Sequence, residues 1–170
     1  GKVRATDTSV NANSAMTLSQ TQSTLAAPTT AGTADANTKS ITYFKNTSGE
    51  EQSDYTIKFA GTTAIDTTSY FYGDATTKTR ATEGTAGTIG KALYATQTER
   101  YTGTVTTLAT PIGTNTKSIT YFAGKATEEK SDYTVKYNSS SAIDYTYYYY
   151  NAGKVRATDT SVNANSAMTL

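Results

Sequence analysis

Residues 1–18 read GKVRATDTSVNANSAMTL, and residues 153–170 read the same eighteen letters. The shift is 153 − 1 = 152 residues. Identity at every position over that length points to a tandem array with a 152-residue period. Whatever the chain folds into must accept this segment at two places. The period is itself double. NTKSITYF stands at 37–44 and at 115–122, and SDYT at 53–56 and 131–134, both at a shift of 78. Ala64-Ile65-Asp66 returns at the same shift as Ala142-Ile143-Asp144. Lys78-Thr79-Arg80-Ala81 matches Lys154-Val155-Arg156-Ala157 at a shift of 76, so two residues are lost near the Tyr-rich turn. Two related units of about 75–78 residues make one period.

Each unit is small for a self-sufficient core but above the ~40 residues below which staples become necessary. The chain has no Cys, so it is not a cystine-stapled scaffold. Fifteen Lys and Arg stand against fourteen Asp and Glu, a net charge of +1. That balance offers nothing to nucleic acid or to an anionic membrane. No apolar run approaches the ~20 residues of a spanning helix. With no His and no Cys, the usual bases and thiols of nucleophilic catalysis are missing, and the chain is read as a non-enzyme.

Thr accounts for 38 residues and Tyr for 14. Both suit a pleated surface. Asp132–Tyr137 alternates strictly, with Tyr133, Val135 and Tyr137 on one face. Its counterpart Asp54–Phe59 keeps the pattern with Tyr55, Ile57 and Phe59. Further strands are expected at Lys117–Phe122, Ile143–Tyr150 (matching Ile65–Tyr72), Lys154–Thr158, Ser14–Gln20 and Ala92–Gln97. Within Lys154–Thr158, Val155 and Ala157 should point inward and Arg156 outward. Five to seven short strands per unit, without helical periodicity, predict an all-β chain of two tandem antiparallel Ig-like β-sandwich units per period. A β-solenoid is the alternative. The units divide the chain as 1–36 (the end of a preceding unit plus a linker), 37–114 (one sandwich) and 115–170 (a second, cut short). Pro28 and Pro111 precede the two NTKSITYF blocks and mark the unit junctions.

The Tyr-rich strand is the candidate contact surface: Tyr145, Tyr147, Tyr148, Tyr149 and Tyr150, with Tyr70, Phe71 and Tyr72 in the other unit. Parity puts Tyr147 and Tyr149 on one face and Tyr148 and Tyr150 on the other. Tyr is common where surfaces meet, although a cross-strand aromatic ladder is an equal reading. Asp54, Asp132, Asp66 and Asp144 are read as solvated turn carboxylates. Ca²⁺ at the unit junctions is the alternative, though no Ca²⁺-loop motif is present. Glu50-Glu51 and Glu128-Glu129 are expected at charged hairpin tips. Lys39 and Lys117 are read as exposed strand lysines rather than isopeptide donors.

The identical terminal blocks and the paired NTKSITYF and SDYT motifs, in a Thr-rich chain without Cys, resemble the stalk regions of large repetitive bacterial adhesins and biofilm-matrix proteins. The resemblance is to a class and transfers no site residue. It implies an extracellular stalk or filament at a bacterial cell surface, whose partners are neighbouring copies of the repeat. The alternatives are a glycan- or self-binding module acting by avidity, and the outer repeat of a filament or phage-fibre subunit, with sister filaments or glycans as partners.

Overall fold

The computed structural model describes residues 4–81, 88–100, 103–108 and 112–169. No helix occurs among them. The strands are β1 (Leu18–Gln22), β2 (Thr38–Lys45), β3 (Gln52–Ala60), β4 (Thr63–Tyr72) and β5 (Thr79–Arg80). They continue with β6 (Leu93–Arg100), β7 (Thr116–Ala123), β8 (Lys130–Asn138), β9 (Ser141–Tyr147), β10 (Tyr149–Tyr150) and β11 (Val155–Arg156). Nine of them form one open antiparallel sheet in the order β1-β2-β3-β4-β6-β7-β8-β9, with β5 added on β4. β10 and β11 pair separately. The all-β, antiparallel expectation therefore holds, and the alternating runs are the strands. Beyond the main sheet the described strands form only the two-stranded β10–β11 sheet, and the loop residues Val105, Leu108 and Ile112 pack on the buried face of the main sheet.

The doubling of the sequence is a doubling of the ladder. Ile41 pairs with Ile57 and Tyr43 with Tyr55, as Ile119 pairs with Val135 and Tyr121 with Tyr133. Both hairpins slip register at the same place, Tyr43/Phe44 and Tyr121/Phe122. Gln20 lies opposite Ile41 as Gln97 lies opposite Ile119, so β1 and β6 are equivalent strands at a shift of 77. β6 then joins the halves, because it pairs with β4 on one side and β7 on the other.

The two faces differ, as strict alternation demands. One carries Ile41, Phe71, Ala95, Ile119 and Val135, all buried. Phe71, Ala95, Leu108 and Ile119 form its centre, with Val105 and Ile112 packed from the loop side. The other face is a hydroxyl ladder. Thr42 and Thr56 Oγ1 atoms stand 2.9 Å apart, Thr68 and Thr98 2.8 Å, and Thr120 and Thr134 2.8 Å. Tyr70 and Tyr148 hydroxyls extend it to Thr56 and Thr134, each at 3.1 Å. These pairs satisfy polar groups across strands and stabilise modestly, at roughly 0.2–1 kcal/mol each.

After β4 the chain turns at Gly73, whose φ is +123°. A Cβ there would sit 2.5 Å from the Thr77 carbonyl oxygen. Backbone strain and that clash coincide, so Gly73→Ala should cost about 2–3 kcal/mol. Urea denaturation checks this, with Gly61→Ala as the sterically open comparison: nothing lies within 4 Å of a Cβ at Gly61, although its φ is also positive.

Candidate functional site

The buried face carries a run of aromatic rings from β6 to the outer strand. Tyr94 meets Tyr121 edge-on at 5.8 Å, Tyr121 stacks on Tyr133 at 4.6 Å, and Tyr133 leans on Tyr147 at 6.1 Å. Tyr145 follows at 6.5 Å. In the first unit Tyr43 stacks on Tyr55 at 4.5 Å. Position 69, which corresponds to Tyr147, is a Ser there, and the run stops.

An arginine lies over each run. Arg80 binds Asp54 at 2.8 Å through Nε and 2.6 Å through a terminal nitrogen, and covers the Tyr55 ring at 5.4 Å. Arg156 binds Asp132 at 2.8 and 2.6 Å, and covers Tyr133 at 5.5 Å and Tyr147 at 4.7 Å. Its hydrogen bond to Asp132 raises the guanidinium pKa above its ordinary value. These pairs correct two sequence expectations. Asp54 and Asp132 are buried rather than solvated, and Arg156 folds inward over the tyrosines. A fork of guanidinium nitrogens on one carboxylate, laid on an aromatic face, satisfies the charge that burial would otherwise penalise. Ala157 is buried, as expected.

The glutamates also do more than mark hairpin tips. Glu51 Oε1 accepts from the Met16 backbone N–H at 3.1 Å, and Glu129 Oε1 from that of Leu93 at 2.8 Å. Each fixes the approach to the next equivalent strand. Asp66 pairs with Lys117 at 2.7 Å across β6. Asp144 reaches the exposed Lys136 at 3.3 Å.

The candidate contact residues separate. Phe71, Tyr72 and Tyr150 are interior; the Tyr72 and Tyr150 hydroxyls donate to the Ser53 and Ser131 carbonyls at 3.0 and 2.8 Å. Tyr70 and Tyr148 belong to the hydroxyl ladder, and Tyr149 is half-buried. Tyr145 and Tyr147 are open, at 55% and 45% exposure, with Ile143 beside them. Pro28 lines a groove of roughly 1020 Å³ beside β1, with Arg4, Ala5, Met16, Leu25 and Gln22. Pro111 lies outside the described residues. No group of three or more potential metal-ligating side chains occurs among the described residues. No described helix is long and apolar enough to cross a membrane.

Burial pushes the Tyr121 phenol up to about 12 and raises that of Tyr72 further. The unfolded phenols ionise first, near 10, so the folded state holds more protons above that pH. Their stabilising contribution is complete below about pH 10 and falls as pH rises towards 12. Urea midpoints should therefore drop between about pH 10 and pH 12, with no contribution from these phenols to any change below about pH 10. A flat midpoint would contradict the burial of these rings.

Comparison with protein-family models, with curated proteins and with solved structures finds no match. The site is thus defined by its own geometry: two sheet edges, one rich in exposed tyrosine and the other beside a groove.

Proposed function

We propose that the chain is a structural, non-enzymatic repeat of an extracellular stalk or filament at a bacterial surface, working by reach and cohesion. One observation carries this reading: the identical segment takes the same turns at both ends of the chain. Asp7 N–H donates to Arg4 O at 2.9 Å and Asp159 N–H to Arg156 O at 3.0 Å. Ser9 and Ser161 bind Asp7 and Asp159 alike, at 2.9 Å, and Asn11 and Asn163 donate alike to Ser14 and Ser166. A segment that folds identically in two contexts suits a module repeated along an array, in which each unit contacts its neighbours. In this reading the unit is four strands of a shared sheet plus a loop layer, and the Ig-like sandwich is kept as the finer alternative for how that layer closes.

The exposed Tyr145 and Tyr147 beside Arg156 favour a second reading, in which repeated aromatic faces bind glycan or sister filaments by avidity. The mass of the native polypeptide, taken from the source by denaturing gel or mass spectrometry, tests the first. A mass many times 18.0 kDa is expected; a mass near one period would overturn the array.

A further inference from the structure

The two copies of the terminal segment fold alike but touch different things. The first copy makes contacts forward. Met16 N–H binds Glu51, Ala12 O accepts from Ser48, and Thr17 O accepts from the Phe44 N–H at 2.9 Å. The second makes contacts backward. Arg156 binds Asp132, Lys130 Nζ reaches Ala164 O and Ser166 O, and Thr169 N–H donates to Tyr149 O at 2.9 Å. The internal equivalent makes both sets at once: Arg80 binds Asp54 behind it, and Leu93 N–H binds Glu129 ahead. The two sets share one acceptor, the carbonyl of Ala12 and its equivalent Ala164, which has two lone pairs. Burial agrees, since Ala157 and Ser166 are buried while the same residues in the first copy, Ala5 and Ser14, are exposed. Arg4 has no ion pair among the described residues, although both other arginines of its kind have one.

We propose that the outer edge of β9–β10 and the groove beside β1 are two halves of one junction, and that its occupant is a second copy of this chain. This rests on the tandem-repeat reading above. The β1 strand of the second copy pairs with β9, in the register that β6 already uses on β4. Ser69 pairs with Gln97 and Phe71 with Ala95; moved to the equivalent residues, Tyr147 meets Gln20 and Tyr149 meets Leu18 of the second copy. The first rung of this ladder is already formed. Tyr150 pairs with Met168, as Tyr72 pairs with Leu93, and the flanking bonds match: Asn151 N–H to Ala167 O at 3.0 Å, Gly73 N–H to Ala92 O at 2.9 Å.

The groove supplies the cover. Within the chain, loop residues Val105 and Leu108 lie over Ser69 and Phe71. The equivalent loop of a second copy carries the fully exposed Leu25 and brings it over Tyr147 and Tyr145. Gln22 lines that groove, and its buried Oε1 has no partner among the described residues. The shared segment can be present only once per junction, so one of the two identical copies leaves, and the other makes both sets of contacts. The contact is heterologous, so each copy can offer one half to the copy before it and the other half to the copy after it.

Cysteine pairing tests the register, because the chain has no Cys of its own. Thr146 and Thr21 correspond to the facing Thr68 and Thr98. A Thr146→Cys chain mixed with a Thr21→Cys chain should yield the mixed disulfide dimer about tenfold above either like dimer, since register on a half-buried strand is strongly specified. Appending Ser-Gln-Thr-Gln after Leu170 of the Thr146→Cys chain completes the strand on that chain's own β9 edge and should abolish that dimer. Arg4→Ala in the Thr21→Cys chain should lower its yield. Far-UV circular dichroism of each variant, matching the parent, establishes that the sheet is intact. Statistical amounts of the three dimers, or a mixed dimer indifferent to the appended strand, would overturn the junction. A native chain of one period would overturn the array alone and leave this test standing between separate chains.

Discussion

Phe71→Ala should lower the unfolding free energy by about 3–5 kcal/mol, the range for truncating a large buried aromatic side chain. Phe71 is fully buried and packs with Ala95, Leu108 and Ile119. It lies on β4 where β6 joins, so the cavity would open between the two sequence-related halves of the sheet. In a small core such a loss is a large part of the total stability. The adjacent Tyr70→Phe is the contrast. It removes one hydroxyl from the ladder and should cost about 1 kcal/mol or less. Urea titration of both variants measures the difference. Were Phe71 a solvent-facing contact residue, its truncation would fall within about 0.5 kcal/mol.

Asp54→Ala is expected to be nearly as severe. The Asp54 and Arg80 side chains are 8% and 12% exposed. Removing the carboxylate leaves a guanidinium with the Val105 carbonyl, at 3.2 Å, and the face of the Tyr55 ring, and no carboxylate among the described residues. Breaking one side of a buried pair costs roughly 3 kcal/mol or more. Arg80→Ala should cost a similar amount, and the double substitution clearly less than the sum, which a double-mutant cycle reads directly. Asp132→Ala should cost less, about 1–2 kcal/mol, because a third of the Arg156 side chain is open to solvent screening. Equal losses at Asp54 and Asp132 would contradict the difference in burial.

The strands were legible because the alternation is strict. Tyr133, Val135 and Tyr137 could share a face in no other regular structure, and the Tyr parity follows from the same rule. Which sheet the strands join was not legible. A period of two says that one face is covered, but not whether a second sheet or a loop covers it. The β4–β6 pairing joins strands whose ends, Tyr72 and Leu93, lie 21 residues apart in the chain, and no local pattern encodes a pairing at that separation. The Asp–Arg pairs had a signal that went unread. Asp54 to Arg80 is 26 residues and Asp132 to Arg156 is 24, a difference that the two-residue deletion in the Tyr-rich turn accounts for. A carboxylate and an arginine recurring together in both units mark a contact rather than two solvated turns. The open state of Tyr145 and Tyr147 also escaped the sequence, because it follows from β9 being the last strand of the sheet.

The continuity of that sheet is tested most directly by a cross-link between β4 and β6. Thr68 and Thr98 face each other, their hydroxyl oxygens 2.8 Å apart. Opposed residues on neighbouring strands lie within the Cα separation a disulfide spans, about 4.4–6.8 Å. The Thr68→Cys/Thr98→Cys chain should close an intramolecular disulfide under mild oxidation, at low protein concentration, with its circular dichroism unchanged. Thiols that stay free, or that link only between chains, would mean that β4 and β6 are not neighbours and that the two units do not share a sheet.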